Sequence, residues 1–217
     1  MNFEQARFNM IEQQIRPWNV LDLTVLDLLG VVKREDFVPS ASRNLAFMDT
    51  ELPLPCGQSM LAPRLEARLL QELKVEKHLK VLEIGTGSGF MAALLGHRAR
   101  QVITLETQAE LATSAAEKLR RAGVLNVTVH EADGSRGLPS EAPFDAILLS
   151  GSVAFVPEVL LQQLKVGGRL LAVVGDEPVM QATLFTRVAD KEYKQVELFD
   201  TIAPRLTGFE QHPAFSL

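Results

Sequence analysis

From Pro63 onward, short apolar runs alternate with segments of helical period, and this alternation is the strongest constraint on the fold. An apolar run of about four to eight residues between turn signals predicts a buried strand, whereas apolar positions three and four apart predict a helix. Strands that alternate with helices build a parallel sheet with helices on both faces. We expect strands at 80–85, 101–106, 126–130, 144–150 and 169–175, and helices at 63–73, 88–98, 108–122 and 157–164.

The two ends of the chain depart from this alternation. The run QATLFTRVADKEYKQVELFDTIA contains two extended stretches joined at ADKEY, which predicts an antiparallel hairpin at the sheet edge. Before Pro63, helical spacing predicts a helix at 3–15 and another from Asp22, followed by the irregular stretch REDFVPSASRNLAFMDTELPLPCGQ. The sequence therefore predicts an α/β fold in which a doubly wound, mostly parallel sheet of seven strands (63–217) follows a helical amino-terminal extension (1–62).

Composition argues against several function classes. The chain carries 22 basic and 27 acidic side chains, so its net charge of −5 offers no overall attraction to nucleic acid or anionic lipid. No apolar run approaches the roughly 20 residues that span a bilayer, and the amino terminus lacks the apolar core of a signal peptide. The single cysteine permits no internal disulfide. We therefore expect a cytoplasmic protein with no nucleic-acid or membrane partner.

A glycine-rich segment, VLEIGTGSGF, places Gly85, Gly87 and Gly89 directly after the strand predicted at 80–85. Glycine lets a ligand approach the backbone and tolerates positive φ in a tight turn. Open parallel sheets bind their ligands at this carboxyl end. Phe90 stands where a dinucleotide fingerprint needs its third glycine, and no GK[ST] follows, so neither that fingerprint nor a P-loop is present.

Acidic side chains accompany three successive predicted strands. Glu83 lies two residues before the first glycine, Glu106 ends the next strand, and Asp133 with Gly134 follows the third. An acidic side chain at the end of the second strand hydrogen-bonds the ribose hydroxyls of a bound nucleoside. Structural alternatives stay open, since Glu106 also suits a helix amino terminus and Asp133 also suits a turn. Taken together, the three positions predict a nucleoside-type ligand at this edge of the sheet.

These motifs resemble those of class I S-adenosylmethionine-dependent methyltransferases, whose first motif is an acidic residue followed by GxGxG. In order along the chain, VKREDFVP, FMD, GQSMLAP, VLEIGTGSGF, APFDAI and LKVGGRLLAVVG resemble the motifs of protein-L-isoaspartate O-methyltransferases. The resemblance implies a Rossmann-like methyltransferase sheet. It also implies a repair reaction, methyl transfer from S-adenosylmethionine to the carboxylate of an isoaspartyl residue in a damaged protein, with S-adenosylhomocysteine as product. We expect a monomer whose partner is a protein or peptide substrate.

The same resemblance implies the site residues. A loop from about 37 to 58 would help close the substrate site, and Ser59 would be the catalytic hydroxyl. Substrate contacts would come from Phe47, Gln58, Ser59 and Thr207. Cofactor contacts would come from Glu83, Gly85, Thr86, Gly87, Ser88, Gly89, Glu106, Thr107, Asp133 and Gly134. A carboxylate acceptor is already ionised at neutral pH, so the reaction requires no general base.

Two positions depart from the family pattern. Leu61 stands where the family carries a serine with an active-site role, and Phe47 stands where tyrosine is common. Each replacement removes a hydroxyl, and a charged oxygen that relied on such a donor would lose about 1.5–3 kcal/mol. Two alternatives therefore stay open. One is a methyltransferase with the same fold and cofactor but another acceptor, and the other is a cofactor-binding relative without catalysis.

The cysteine and the histidines predict no chemistry of their own. Cys56 has no partner base nearby in the sequence, so we expect a partly buried thiol and not a nucleophile. The histidines show no ligand spacing, and we predict no metal site from them. They are His78, His97, His130 and His212.

Overall fold

A seven-stranded sheet lies at the centre of the computed structural model, which describes residues 2–211. The helices are α1 Phe3–Met10, α2 Leu23–Val31, α3 Pro63–Leu73, α4 Phe90–Arg98, α5 Ala109–Arg121 and α6 Glu158–Gln162. The strands are β1 Leu52–Pro53, β2 Ser59–Met60, β3 Lys80–Ile84, β4 Gln101–Glu106, β5 Val127–Glu131, β6 Phe144–Val153, β7 Leu164–Asp176, β8 Val179–Ala189 and β9 Glu192–Asp200. Across this part of the chain, no helix combines the length and apolarity needed to cross a membrane.

The order of strands in the sheet is β5-β4-β3-β6-β7-β8-β9. The first five in this order are parallel, and β8 and β9 continue the sheet as antiparallel strands. The chain leaves β3 on one side to form β4 and β5, and then returns to the other side at β6. A crevice therefore opens between the carboxyl ends of β3 and β6, where such sheets bind ligands. The predicted doubly wound sheet with its antiparallel edge hairpin is confirmed.

Proline and glycine at the helix ends explain why most predicted helix boundaries agree with the observed ones. Pro63 occupies the first position of α3, where its missing N–H costs nothing, and Gly123 with φ +72° follows α5. The predicted helix at 88–98 begins two residues late, at Phe90, because Gly89 takes a left-handed conformation at its amino-terminal cap. Helix α6 is shorter than the predicted 157–164, because the chain already enters β7 at Leu164.

The amino-terminal extension packs through apolar side chains onto the helices that cover the sheet. The predicted helix at 3–15 is α-helical as far as Met10 and continues as a π-helical turn, Ile11–Ile15. Met10 and Ile15 are buried in one core that also contains side chains of α3 and α4. The extension is thus packed against the sheet domain, and the boundary at residues 62 and 63 stays a prediction.

The irregular segment before β1 is held in place by a buried arginine, Arg34. Its Nε donates to the Ala46 carbonyl at 3.0 Å, its Nη2 donates to the Leu61 carbonyl at 2.7 Å, and its Nη1 pairs with the Glu66 carboxylate. Burying a guanidinium is favourable only where its donors are paired in this way. Apolar anchors complete the segment, namely Phe37, Val38, Phe47 and Leu52. The segment is therefore ordered although it contains little regular structure.

Candidate functional site

The glycine-rich turn joins β3 to α4 with a backbone that glycine adopts without strain. The φ angles are +94° at Gly85, +52° at Gly87 and +86° at Gly89, all in the region that other residues avoid. A Cβ on Gly89 would also stand only 3.1 Å from the Cβ of Ala115 in α5. Gly89 therefore serves helix packing in this structure, and its predicted contact with the cofactor stays a prediction.

Glu106 ends β4 beside this turn, and two backbone amides hold its carboxylate. The Gly87 N–H donates to Oε2 at 2.8 Å, and the Gln108 N–H donates to Oε1 at 3.1 Å. Gln108 precedes the first residue of α5, so the helix-terminus interpretation of Glu106 holds in part. The bond to Gly87 adds a second role, because the carboxylate also fixes the glycine turn. Each oxygen retains a lone pair that can accept a ribose hydroxyl.

Asp133 and Gly134 follow β5 and play different parts. Asp133 is exposed, and its Oδ1 accepts a bond of 2.9 Å from the Ser135 N–H, as an ordinary turn residue does. Gly134 is buried against Ile84 and lines the cleft at the end of the sheet. Gly134 thus reaches the cleft through its backbone, whereas the Asp133 side chain caps the turn beside it.

The cleft lies over the ends of β3, β4 and β6 and encloses a cavity of about 50 Å³. It brings together predicted residues from five separate segments of the chain. They are Gln58, Ser59, Gly85, Gly87, Glu106, Thr107, Gly134 and Thr207. Because the segments are remote in sequence, their convergence is a property of the fold and supports one common site.

A carboxyl-terminal segment, residues 204–209, forms the remaining wall of the cleft. The Ser152 N–H donates to the Pro204 carbonyl at 2.7 Å, and the Leu206 N–H donates to the Ser152 carbonyl at 2.9 Å. The hydroxyls of Thr107 and Thr207 lie 3.2 Å apart. These bonds attach the segment to the end of β6 and to the end of β4, so it lines the cleft together with the loop of Ser59.

Glu83 is fully buried beneath the cleft and belongs to a network of hydroxyls. Ser150 Oγ donates to its Oε1 at 2.7 Å, and Thr104 Oγ1 donates to its Oε2 at 2.7 Å. The Thr86 hydroxyl lies 2.6 Å from that of Thr104. Burial raises the pKa of Glu83 to about 8 despite these two bonds, and the carboxylates of Glu66 and Glu106 raise it further. With a pKa of about 8, Glu83 is mostly protonated at neutral pH, and one of its two oxygens then donates to a neighbouring hydroxyl instead of accepting from it.

A second, smaller cavity of about 20 Å³ adjoins the cleft on its substrate side. Ser59 and Ser150 line both cavities, and Leu61 lines the smaller one. Ser88 lines it too, and its Oγ accepts a bond of 3.2 Å from the Phe90 N–H at the start of α4. The smaller cavity thus joins the loop GQSMLAP to the glycine turn.

Phe47 lines neither cavity. Its side chain is buried, its ring centroid lies 5.7 Å from that of Phe3, and the Arg7 guanidinium stands 5.8 Å above the ring. The structure therefore uses Phe47 to pack the irregular segment onto α1. Its predicted contact with substrate stays a prediction that this geometry does not support.

Sequence reasoning missed two parts of the site, Ser150 and the wall made by residues 204–206. Ser150 is the last residue of FDAILLS, and its position at the end of a parallel strand was the available signal. The wall carries no motif of its own, and only its pairing with Ser152 brings it to the cleft. That pairing is a tertiary contact that no local pattern predicts.

Cys56 is exposed, so the expectation of a partly buried thiol is wrong. It sits in a left-handed turn with φ +59°, and its Sγ lies 3.7 Å from a Glu110 carboxylate oxygen. Partial desolvation and that carboxylate raise the pKa of the thiol, which makes it a poor nucleophile. Between residues 2 and 211 no three histidine, cysteine or acidic side chains are grouped to hold a metal ion, and His212 lies outside the described residues.

A glycine turn at the switch point of a doubly wound sheet, with an acidic side chain at the end of the next strand, is the arrangement of a nucleoside-binding site. Together with the GxGxG spacing at Gly85, Gly87 and Gly89 and the family match over residues 5–208, it places the chain in the class of S-adenosylmethionine-dependent methyltransferases. The chain belongs to the protein-L-isoaspartate(D-aspartate) O-methyltransferase family, whose family model matches residues 5–208. Membership assigns the enzyme class and S-adenosylmethionine as the cofactor of the family.

Relatives named protein-L-isoaspartate O-methyltransferase resemble the chain over nearly its full length. The protein of Rhodopseudomonas palustris is 41% identical over 202 residues, which cover 93% of each chain. The protein of Koribacter versatilis is 39% identical over 198 residues, 91% of this chain and 89% of the relative. A second enzyme of that name in Marinobacter nauticus is 40% identical over 213 residues, 98% of this chain and 97% of the relative.

Solved structures support the fold. One protein-L-isoaspartate O-methyltransferase superposes with a TM-score of 0.79 at 24% identity, over 93% of this chain and 66% of the other. A Plasmodium falciparum beta-aspartate methyltransferase in complex with S-adenosyl-L-homocysteine gives a TM-score of 0.79 at 20% identity, over 95% of this chain and 99% of the other. At these identities the superpositions establish the architecture alone.

Proposed function

We propose that this protein methylates the side-chain carboxylate of L-isoaspartyl residues in damaged proteins or peptides. One observation carries the proposal: the loop with Gln58 and Ser59 lines the same cleft as Gly85, Gly87 and Glu106. A substrate-side loop and a nucleoside-type site therefore meet at one edge of the sheet. The family's named reaction needs both halves within reach of one another.

The cofactor half of the cleft suits S-adenosylmethionine. The turn exposes backbone at Gly85 and Gly87, Glu106 offers carboxylate lone pairs beside it, and Gly134 opens the far wall. When bound, S-adenosylmethionine supplies an electrophilic methyl group and leaves as S-adenosylhomocysteine. Thr107 and Thr207 lie at the entrance and link the carboxyl-terminal wall to the end of β4.

The acceptor half has to orient a carboxylate and shield it from water. In this proposal Ser59 donates to the acceptor, and its position in the lining of both cavities supports that role. The protonated state of Glu83 matters as well, because a neutral carboxyl group does not repel an incoming carboxylate. No proton has to leave the acceptor, so the absence of a histidine in the cavity lining is consistent with the proposed reaction.

A second candidate is a methyltransferase with the same cofactor and another acceptor. It is favoured by Leu61, which presents an apolar side chain to the smaller cavity where the family's pattern has a hydroxyl. The acceptor of such an enzyme would then be a group that requires one hydrogen-bond donor fewer from the protein than an isoaspartyl carboxylate requires.

Methyl transfer from labelled S-adenosylmethionine to an isoaspartyl peptide tests the proposal, with the matching aspartyl peptide as control. We expect base-labile methyl ester on the isoaspartyl peptide alone. No ester above the aspartyl control, together with intact cofactor binding by calorimetry, would reject the isoaspartyl assignment and favour the second candidate. We also propose a monomer in the cytoplasm, an assignment supported by a lone exposed thiol, which suits a reducing compartment.

A further inference from the structure

Ser150 stands where the two halves of the site meet. It follows Leu149, which pairs with Ile84 across β6 and β3, so Ser150 lies beside the first glycine of the turn. A Cβ placed on Gly85 would stand 3.8 Å from the Cβ of Ser150. Ser150 also lines both the cleft and the smaller cavity. Its hydroxyl is therefore within reach of any group that enters from the substrate side.

The smaller cavity has room for one oxygen atom and is lined by hydroxyl side chains from the loop, the glycine turn and the sheet. Its volume is about 20 Å³, and about 10–15 Å³ suffices for a water-sized group. Ser59 and Ser150 face it with hydroxyls, whereas Leu61 adds only apolar surface. Thr86 and Ser88 of the glycine turn add hydroxyls to the smaller cavity but do not line the cleft, whereas Ser59 and Ser150 line both. An acceptor oxygen that enters from the cleft therefore meets Ser59 on the loop and Ser150 on the sheet.

The hydrogen bonds of Glu83 determine where the Ser150 proton points. A neutral Glu83 carries one proton, and in the arrangement that keeps the bond from Thr104 to Oε2 this proton lies on Oε1, 2.7 Å from Ser150 Oγ. Glu83 then donates to Ser150 Oγ, and the Ser150 proton is available to a ligand. An ionised Glu83 reverses this arrangement, because both of its oxygens become acceptors and one takes the Ser150 proton.

We propose that Ser150 is an acceptor-positioning residue, whose hydroxyl donates to the isoaspartyl carboxylate and supplies the hydrogen bond that Leu61 cannot make. The inference rests on the proposed function and names a residue that determines its acceptor specificity. Glu83 acts through Ser150 and holds its hydroxyl in the donating orientation. The hydroxyl lost from the loop is thereby replaced from the neighbouring strand.

Burial is the main cause of the raised pKa of Glu83, and the groups that face it add smaller effects of both signs. Glu66 of α3 and Glu106 of β4 face it and raise its pKa, while the Thr104 and Ser150 hydroxyls lower it. Arg34 neutralises Glu66 in a buried pair. Because burial raises the pKa of Glu83 to about 8, binding of the acceptor should weaken as the pH rises through that value.

A mutant cycle tests the inference with binding as well as activity. The single variants are Ser150→Ala, Ser150→Thr and Leu61→Ser, and the double variant combines Leu61→Ser with Ser150→Ala. Thr183→Val in β8 is the control for loss of a remote buried hydroxyl. Calorimetry measures affinity for an isoaspartyl peptide in the presence of S-adenosylhomocysteine, and separately for S-adenosylmethionine. Initial rates give KM and kcat for the peptide, and thermal melts verify that each variant is folded.

We expect Ser150→Ala to weaken peptide affinity by about 10- to 100-fold, as loss of a hydrogen bond to a charged group implies. Ser150→Thr should retain most of the affinity, and Leu61→Ser should restore it in the Ser150→Ala background. Cofactor affinity should change less than threefold in every variant. Wild-type peptide affinity should fall between pH 7 and 9, and this fall should be absent in Ser150→Ala.

Other outcomes overturn the inference. If the Ser150→Ala enzyme binds peptide normally, or loses cofactor and peptide affinity equally, the Ser150 hydroxyl has only a structural role. A double variant as weak as Ser150→Ala shows that positions 61 and 150 do not share a role. If either of these results is obtained and the wild-type protein still methylates the peptide, the inference about Ser150 is wrong but the proposed function stands. If the wild-type protein neither binds nor methylates the peptide, both proposals are wrong.

Discussion

The side chain of Leu206 lies directly over Gly85, and a Cβ placed on that glycine would stand 2.7 Å from Leu206 Cδ2. Leu206 belongs to the carboxyl-terminal wall and is fixed to Ser152 through its backbone N–H. Leu206 is one of the side chains that line the cavity, which measures about 50 Å³, whereas sites for small molecules enclose about 300–1,000 Å³. A cofactor that lies on the glycine turn needs more room than this, and Leu206 is the side chain nearest to the first glycine.

Gly85→Ala tests the conformational demand of the turn. At φ +94° an alanine is strained by about 1–3 kcal/mol, and its Cβ would also compete with Leu206. We expect urea unfolding to show a loss of that size, and calorimetry to show S-adenosylmethionine affinity lowered at least tenfold. Gly30→Ala in α2 is the matched control, because nothing lies within 4 Å of the added carbon and helix propensity should stabilise it by about 0.5–1 kcal/mol. A Gly85→Ala protein that unfolds and binds like the wild type would contradict this account.

Glu106→Gln tests whether the carboxylate is needed beside the turn. Glutamine keeps the shape but offers one acceptor oxygen, so it cannot serve both Gly87 and Gln108 as Glu106 does. We expect S-adenosylmethionine affinity to fall about 10- to 100-fold in calorimetry, the size of a lost charge-assisted hydrogen bond. Glu110→Gln is the control, since that exposed carboxylate lies one turn further along and does not line the cleft. Equal losses in both variants would point to net charge as the cause.

The sequence predicted the parts of the fold that local chemistry determines. The order of strands and helices followed from apolar periodicity, and Pro63 and Gly123 marked helix ends because proline and glycine restrict the backbone wherever they stand. Glycines followed by an acidic strand end likewise predicted residues that the fold brings together in the cleft, and their contacts with the cofactor stay a prediction. The substrate half was predicted less completely. Ser150 looks like any strand-ending serine until Glu83 is placed beside it, and that contact spans 67 residues of sequence.

The two wrong or unsupported expectations have the same physical origin. Cys56 is exposed because φ +59° turns the chain outward at Pro55–Gly57, which composition does not reveal. Phe47 is drawn away from the cleft by packing against Phe3 and Arg7. Both outcomes depend on how the amino-terminal extension docks onto the sheet, and docking of remote segments is not encoded in any local pattern.

Arg34→Ala tests the tie between the irregular segment and the site. The guanidinium bonds the carbonyls of Ala46 and Leu61 and pairs with Glu66 in the interior. Removing one partner of a buried ion pair costs about 3–5 kcal/mol, so we expect a loss of that size in urea unfolding. Arg34→Lys keeps the charge without the planar fork and should fall between alanine and wild type. As control, Arg43→Ala removes a half-exposed arginine paired with Asp36 and should change stability by about 0.5 kcal/mol or less. Equal effects at both arginines would refute the tie.

The buried carboxyl group of Glu83 should make stability depend on pH in a defined direction. Its pKa rises from 4.5 in the unfolded chain to about 8 in the fold, so the folded protein holds a proton that the unfolded chain releases. The contribution of Glu83 to the free energy of unfolding is therefore highest below pH 4.5 and declines until the pH passes about 8. At about 1.36 kcal/mol per pKa unit the whole decline is on the order of 5 kcal/mol.

Glu83→Gln should remove that share of the decline, because the amide cannot ionise and can still donate to one hydroxyl and accept from the other. Part of the slope should persist, since burial raises the pKa of Glu66 to about 7. Urea unfolding at intervals from pH 5 to 9 measures both proteins. Glu141→Gln is the control, because its hydrogen bond with Lys80 lowers the pKa of that exposed carboxyl, which is ionised throughout this range. If Glu83→Gln and the control both retain the full wild-type dependence of the free energy of unfolding on pH, then Glu83 is ionised in the folded protein. The orientation assigned to the Ser150 hydroxyl would then be wrong.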